Sequence, residues 1–497
     1  MIKGIIRQNF FFLSNHLVIY GVLIMEYEEI MDRKKRIVDS PTHPLPEETV
    51  GRLVKEFTMN HQKSKQLFEE AKQHLTEGLQ HNLSPNFPFP LTMDHGEGYK
   101  LYDIDGNEYI DFLMCGAPII LGHHFKPLDD KIADHIQQNG PTTGLTSEYE
   151  VLAAKQIKKM MPHIERVRFV QSGTEAIMAA LRIARAKTGH QKIIKIDGNY
   201  HGWGDQTVMG LHIPGTGMMM AEGIPTECLS NTMTVMPNDF EGLRAAFDEA
   251  KKEGNVAACL VEANGGEAGT HPVHPEWNTY VRELCDEYGA LMIMDEVITG
   301  FRLGPGGAQA YYNVKPDMVI LGKILMHGYP SCGAVCGKEE VMDALAGGEA
   351  SAMGGQAFVA GTMAANALSV KACYFALKLV EEHKASEKAA DFATKLTLEL
   401  NSLFETRTDL PFFAYNQQSI IVYDTTAFFS VDIQRDDAFM QIMDRMKVSK
   451  EYQLAILNQG IMTLAGSRMY TCMQHDDEAL DKTLKAWEYL LKLIPKE

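Results

Sequence analysis

From about residue 140 to 345 the chain alternates short apolar runs with amphipathic stretches, and this pattern constrains the fold more than any other feature. The runs are Val167–Val170, Ile193–Ile196, Ala258–Val261, Leu291–Met294 and Met318–Leu321. Strands that are apolar on both faces and separated by helices predict a mainly parallel α/β sheet covered on both sides. In such a sheet ligands collect outside the carboxyl ends of the strands. What each strand ends in therefore becomes the informative question.

The flanks read differently. Leu53, Phe57, Leu67, Ala71 and Leu75 recur at helical spacing, which predicts helix over 45–80. Ser84–Pro90, with three prolines, is expected to be an extended connector. Asp105-Gly106 between the alternating runs Tyr99–Asp103 and Glu108–Phe112 signals a hairpin. A long helix is expected over Ala364–Glu382, and the strand-like Ser419–Tyr423 with helices around it reads as a smaller α+β domain.

Charge and cysteine content remove several function classes. The 497 residues carry a formal charge of −18 and no clustered basic surface, against a nucleic-acid binder. The eight cysteines form no Cys-x-x-Cys pair and no zinc spacing, as expected for reduced thiols in a cytoplasmic protein. Met1–Met25 is basic and then apolar, but Ser14, Asn15 and His16 interrupt it. No small-residue cleavage site follows, and the stretch is too broken to span a membrane. We expect translation to start at Met25 or Met31, and no membrane association.

Four strand ends carry chemistry. Val167–Val170 runs into Gln171-Ser172-Gly173-Thr174-Glu175 and an Ala-rich helix. Hydroxyls and free N–H groups at a helix N-terminus suit a phosphate, and equally describe a plain helix cap. Ile193–Ile196 leads to Tyr200-His201-Gly202, whose aromatic ring is either a platform for a planar ligand or a turn residue. Leu291–Met294 ends in Asp295, a carboxylate that needs a donor, a metal or a protonated ring nitrogen if buried. Met318–Leu321 ends in Gly322-Lys323 before Ile324-Leu325-Met326, so the amine is either desolvated and nucleophilic or snorkels to water.

Each feature is weak alone, but their order along one α/β domain is informative. A phosphate cradle, an aromatic ring, a strand-end Asp and a strand-end Lys are what pyridoxal 5'-phosphate requires.

At this point the residues resemble the class III aminotransferases of fold type I, from about residue 85 onward. The matching pieces are GNEYIDF, LGHHF, QSGTEAIMAALRIAR, Tyr200-His201-Gly202, DEVITGFR, GGAQAYYNVKPDMVILGK and AGTMAANALS. DEVITGFR, GGAQ and the C-terminal half of the phosphate motif look closest to the glutamate-1-semialdehyde 2,1-aminomutases. The resemblance implies a large domain with a mainly parallel seven-stranded sheet and a smaller α+β domain built from the two chain ends. The expected division is a 1–35 extension (disordered, or ahead of the true start), 36–115 in the small domain, 116–370 binding the cofactor, and 371–497 completing the small domain.

By the same resemblance Lys323 would hold the cofactor as an aldimine and shuttle the proton between Cα and C4′. Asp295 would pair with the pyridine nitrogen. Tyr200 and Val297 would cover the two ring faces, and Ser172, Gly173 and Thr174 would bind phosphate. Thr362 matches the threonine that reaches the phosphate of a neighbouring subunit, which implies a homodimer with shared active sites. Several members pair a C-terminal arginine with a glutamate in a Gly-Glu-x-Gly turn. Gly266-Glu267-Ala268-Gly269 and Arg468 occupy comparable places, though an ordinary turn glutamate and surface or interface arginine would look the same.

The chain also departs from the pattern. It has Glu262-Ala263-Asn264 where members usually read Glu-Pro-Val, and Ile-Leu-Met-His-Gly-Tyr-Pro after Lys323 where they are glycine-rich. Near the C-terminus the aminomutases carry Ser-x-Phe-Glu-x-Gly-Phe, against Gly466-Ser467-Arg468-Met469-Tyr470-Thr471 here. The leading expectation is a transaminase moving an amino group from an amino acid to a keto acid or aldehyde. An aminomutase, or an amino-acid racemase or epimerase, is the alternative on the same fold. A non-catalytic relative would have lost Lys323 or Asp295, and both are present.

Overall fold

The computed structural model describes residues 25–81, 87–217, 221–345, 347, 356–464 and 466–496. Residues 1–24, where the leader-like run lies, and 84–86 of the expected connector fall outside them. Among the described residues no helix is long and apolar enough to cross a membrane.

The N-terminal strands are β1 (Met93–Glu97), β2 (Lys100–Asp103) and β3 (Glu108–Asp111). β2 and β3 form the expected hairpin around Asp105-Gly106. The central sheet holds β4 (Arg166–Val170), β5 (Lys192–Ile196), β6 (Thr232–Val235), β7 (Val256–Val261), β8 (Leu291–Glu296), β9 (Met318–Gly322) and β10 (Gly333–Gly337). Its order is β4-β10-β9-β8-β7-β5-β6, and β10 alone runs against its neighbours. The expected seven-stranded, mainly parallel sheet is present. Every residue of β7 and β9 is buried, which is why these strands read as continuous apolar runs.

After β4 the chain must cross the sheet to reach β5. The helix Gly173–Thr188 makes that crossing, packed against β10, β9 and β7. Its buried Ala176, Ala179, Ala180 and Ala184 let it lie close to the strands. Two strands had no clear signal. β6 is an edge strand of Thr-Met-Thr-Val, and β10 reads Gly-Ala-Val-Cys-Gly. At Gly333 a Cβ would come 2.3 Å from the Ser172 carbonyl oxygen, so only glycine lets β10 pass the phosphate-motif backbone.

The predicted helix over 45–80 is two helices, Glu47–Asn60 and Gln62–Ala71, broken at His61. The His61 ring is tied to the Phe57 carbonyl and the Tyr109 hydroxyl, and the chain turns there. Leu53 and Phe57 are buried as expected, but Leu67 and Leu75 beyond the break are exposed. The long helix runs Ala367–His383 and starts later than expected, because Asn366 caps it by accepting the Ser369 N–H.

The chain ends meet. β11 (Phe413–Gln417), β12 (Ile420–Asp424) and β14 (Arg468–Tyr470) form a three-stranded sheet. β13 (Ile461–Met462) adds parallel to β3, completing a four-stranded sheet with the N-terminal hairpin. The helix Tyr27–Asp39 buries Ile30 and Ile37 against β11 and β12, and Lys34 pairs with Asp424 at 3.0 Å.

Arg302, just past β8, joins these parts. Fully buried, it donates to the carbonyls of Ser419, Thr471 and Ala117 and faces the Tyr470 ring. Burial pulls its guanidinium down to about 10. Lysine has no planar fork to serve three chain segments at once. Arg302→Lys is expected to lower the unfolding free energy by about 3 kcal/mol, through carbonyls left without donors. Denaturant titration against wild type measures this, and an unchanged midpoint would contradict it.

Candidate active site

The carboxyl ends of β4, β5, β7, β8 and β9 open on one cavity of about 200 Å³. Its walls include Gly173, Thr174, Tyr200, His201, Glu262, Asp295, Val297 and Lys323. Side chains dispersed over 150 positions of sequence thus converge on one place because parallel strands end on one edge.

β9 ends at Gly322, and Lys323 follows in left-handed backbone at φ 48°. Its Nζ makes no hydrogen bond or ion pair to another described residue. Burial lowers the amine below the ordinary lysine value, while the charges of Asp295, Glu262 and Glu267 pull it partly back. An unpaired, partly desolvated amine is a nucleophile toward carbonyls.

Asp295 lies just before the end of β8. Its Oδ2 lies 2.8 Å from His201 Nδ1, and its Oδ1 accepts the Val297 N–H at 3.0 Å. Each oxygen keeps a further acceptor site for a donor in the cavity. Burial lowers the His201 imidazole, with Asp295 opposing, and its Nε2 is buried without a partner. Gly202, at φ 80°, brings this loop onto the phosphate motif, since a Cβ there would fall 2.2 Å from Thr174 Oγ1. Tyr200 is 43% exposed and its ring stays open to the cavity. Across from it Val297 seats against Gly173 and Gly322.

Two expected phosphate contacts differ from the rest. Ser172 does not line the cavity. Its hydroxyl accepts the Glu175 N–H and caps the helix, which leaves its own O–H free to donate. Thr362 is exposed on the turn before the Ala367–His383 helix and stands outside the cavity.

Glu267 and Arg468 do meet. Arg468 Nη1 lies 2.6 Å from Glu267 Oε2 and also donates to the Glu267 carbonyl at 3.1 Å. Both are buried, at 5% and 7% exposure, so this is no surface pair. Burial alone would raise the Glu267 carboxyl, but the Arg468 guanidinium and His212 bring it down to about 2. The turn carrying it holds Glu267 and Ala268 at positive φ.

Sequence reasoning missed Glu262. It accepts the Tyr200 N–H at 2.8 Å and the Ala268 N–H at 3.2 Å, bracing the ring platform against the Glu267 turn. Burial, with Asp295 and Glu267 nearby, pushes its carboxyl up to about 8. The rule that singled out Asp295, a carboxylate closing an apolar strand, applies equally to Val261-Glu262. His212 also went unnoticed, and nothing in its local sequence signals a role.

The donor set fits pyridoxal phosphate: a helix N-terminus with Gly173 and Thr174, an open aromatic face, a carboxylate with acceptor capacity and an unpaired amine. The profile of the family Aminotransferase class-III matches residues 83–471. A glutamate-1-semialdehyde 2,1-aminomutase of Methanosphaera stadtmanae is 34% identical over 440 residues, covering 87% of this chain and 99% of that protein. Among solved structures, one described as a transaminase with PLP bound has a TM-score of 0.77 at 25% identity, covering 87% of this chain and 98% of that one. A glutamate-1-semialdehyde-aminomutase of Pseudomonas aeruginosa has a TM-score of 0.76 at 22% identity, covering 94% and 99%. The chain belongs to the class-III aminotransferases, a family of pyridoxal-phosphate enzymes of fold type I.

Proposed function

We propose that the protein transfers an amino group between an amino acid and a keto acid or aldehyde, with a dicarboxylic acid serving one half-reaction. The observation that carries this reading is the buried Glu267–Arg468 pair beside the cavity. An enzyme that alternates substrates must bind a second carboxylate in one half-reaction and an uncharged group in the other. A guanidinium fork captures a carboxylate, and a movable glutamate neutralises it when none is bound.

Bound pyridoxal phosphate supplies an electron sink for the charge left when a bond at the substrate Cα breaks. Gly173 and Thr174, at the capped helix N-terminus, would hold its phosphate. Tyr200 and Val297 would confine its ring faces, and Asp295 would keep a proton on the ring nitrogen, itself held in place by His201. Lys323 would hold the group covalently and, once released by substrate, act as the base that takes the Cα proton and returns it. Burial favours the neutral amine, the form that accepts a proton. The exposed position of Thr362 supports a homodimer in which this residue serves the neighbouring copy.

The curated relatives favour a second reading, an intramolecular aminomutase of the glutamate-1-semialdehyde type. Incubating the holoenzyme with single amino acids, with and without keto acids, separates the two. Amino transfer yields the donor's keto acid and a new amino acid only when an acceptor is present. An isomer formed from one substrate alone would replace our reading with the aminomutase.

Borohydride treatment of the holoenzyme, followed by peptide mass spectrometry, is expected to find the cofactor fixed to Lys323; a label on another lysine would refute the assignment. Lys323→Ala should reduce turnover by roughly 10³-fold. Asp295→Asn should reduce it by roughly 10²-fold, with a much smaller loss of cofactor affinity.

Removing the fork tests the gate directly. In Arg468→Ala, KM for dicarboxylic substrates should rise by roughly tenfold more than KM for monocarboxylic ones. Equal changes for both classes would reduce Arg468 to a structural role.

A further inference from the structure

Glu267 has two partners. Arg468 takes Oε2, and His212 Nδ1 takes the other oxygen, Oε1. His212 sits in the loop between β5 and β6 in left-handed backbone at φ 62°. Its backbone carbonyl accepts from His271 Nε2 at 2.8 Å, so the strained position is held from outside the loop. Its ring lies parallel to that of Tyr200, 5.7 Å between centroids at 14°, and the side chain remains 35% exposed. One imidazole therefore touches both the ring platform and the charge gate, and is open to solvent where Arg468 is not.

A substrate carboxylate on Arg468 leaves Glu267 without its guanidinium. The displaced carboxylate would then be a buried charge near Glu262, which repels it. An uncompensated charge in that setting is strongly unfavourable. Among the described residues the one other side chain hydrogen-bonded to the Glu267 carboxylate is His212, Thr270 Oγ1 reaching only its backbone carbonyl.

Resting on the amino-transfer reading above, we propose that His212 is a specificity-determining residue for dicarboxylic substrates. It is the second holder of Glu267, taking its charge as an imidazolium when a substrate claims Arg468. The charged and titratable groups around it are consistent with this exchange. Glu267 and Tyr200 face its ring, and His271 holds its carbonyl. On the same loop Asp197 accepts the Gly215 N–H, and Lys195, in β5 before the loop, holds the Met209 carbonyl, so both are engaged with loop backbone. Loss of the Arg468 partner leaves His212 as the side-chain donor on the Glu267 carboxylate, and the proposed exchange places the compensating charge on its imidazole. Diacid binding and proton uptake are thereby linked.

The test uses the holoenzyme and two probes: glutarate, a diacid without an amino group, and butyrate, a monoacid. Titration calorimetry in buffers of different ionisation heat, across about pH 6 to 9, reads affinity and proton uptake together. Glutarate should take up as much as about one proton within that range, and butyrate none. His212→Asn keeps a donor near the Nδ1 position and tolerates left-handed backbone, but cannot charge. That variant should lose the uptake and bind glutarate roughly tenfold more weakly, with a clearly smaller change for butyrate.

Equal losses for the two probes in His212→Asn, or no uptake by wild type at any pH, would overturn the inference. Arg468→Ala separates this failure from a deeper one. If Arg468→Ala weakens glutarate selectively while His212→Asn does not, only the part assigned to His212 falls. If wild type ignores glutarate, or Arg468→Ala binds it unchanged, the dicarboxylate gate falls and the role of His212 with it.

Discussion

Parallel strands deliver their last residues to one edge of a sheet, and in this protein those residues are charged. Asp295 lies just before the end of one apolar strand at Glu296, Glu262 and Lys323 follow two others, and Glu267 and Arg468 are buried nearby. Much of the local structure answers the electrostatic problem this creates. Asp295 is met by His201 and a backbone N–H, Glu262 by two backbone N–H groups, and Glu267 by a guanidinium and an imidazole. Lys323 is the exception: surrounded by anions, it is bonded to none of them among the described residues. A site that satisfies its carboxylates with donors and leaves its amine unbonded is consistent with the covalent role proposed for Lys323.

The strands and their termini were legible because burial on both faces leaves a plain record of Val, Ile, Leu and Met. The same logic fails for β10, whose glycines are needed for passage past Ser172 and carry no hydrophobic signal. It fails again near residue 61. Helical spacing continues through Leu67, while a buried histidine turns the chain and leaves the second half facing water. Most residues at or near strand ends that now line the cavity were singled out from the sequence, whereas one far along a loop was not. Tyr200, Asp295, Val297 and Lys323 belong to the first kind and His212 to the second. Glu262 shows that the limit was partly in emphasis, since it obeys the strand-end rule as well as Asp295 does.

Family membership and reaction are separate matters here. Ring stacking, nitrogen pairing and the lysine are common ground for amino transfer and for its intramolecular variants, because all of them need charge stabilised at the same carbon. What distinguishes them is how the far end of the substrate is received. In this chain the residues proposed to receive that far end, Glu267, Arg468 and His212, all lie outside the central-sheet strands. On that reading the sheet sets the chemistry, and the segments packed over it set which molecules reach it.

The pairing of β13 with β3 has a consequence for how the chain is made. Ile110 and Ile461 are neighbours in a parallel ladder, yet more than two thirds of the protein is synthesised between them. Until Ile461 leaves the ribosome, β3 has β2 on one side and nothing on the other, so a nascent chain carries an open strand edge through most of its translation. Arg302 compounds the delay, because two of its carbonyl acceptors, at Ser419 and Thr471, emerge equally late. The newborn protein must therefore be kept from pairing with its neighbours during that interval, which makes its yield in a cell depend on chaperone capacity and on translation rate as well as on final stability.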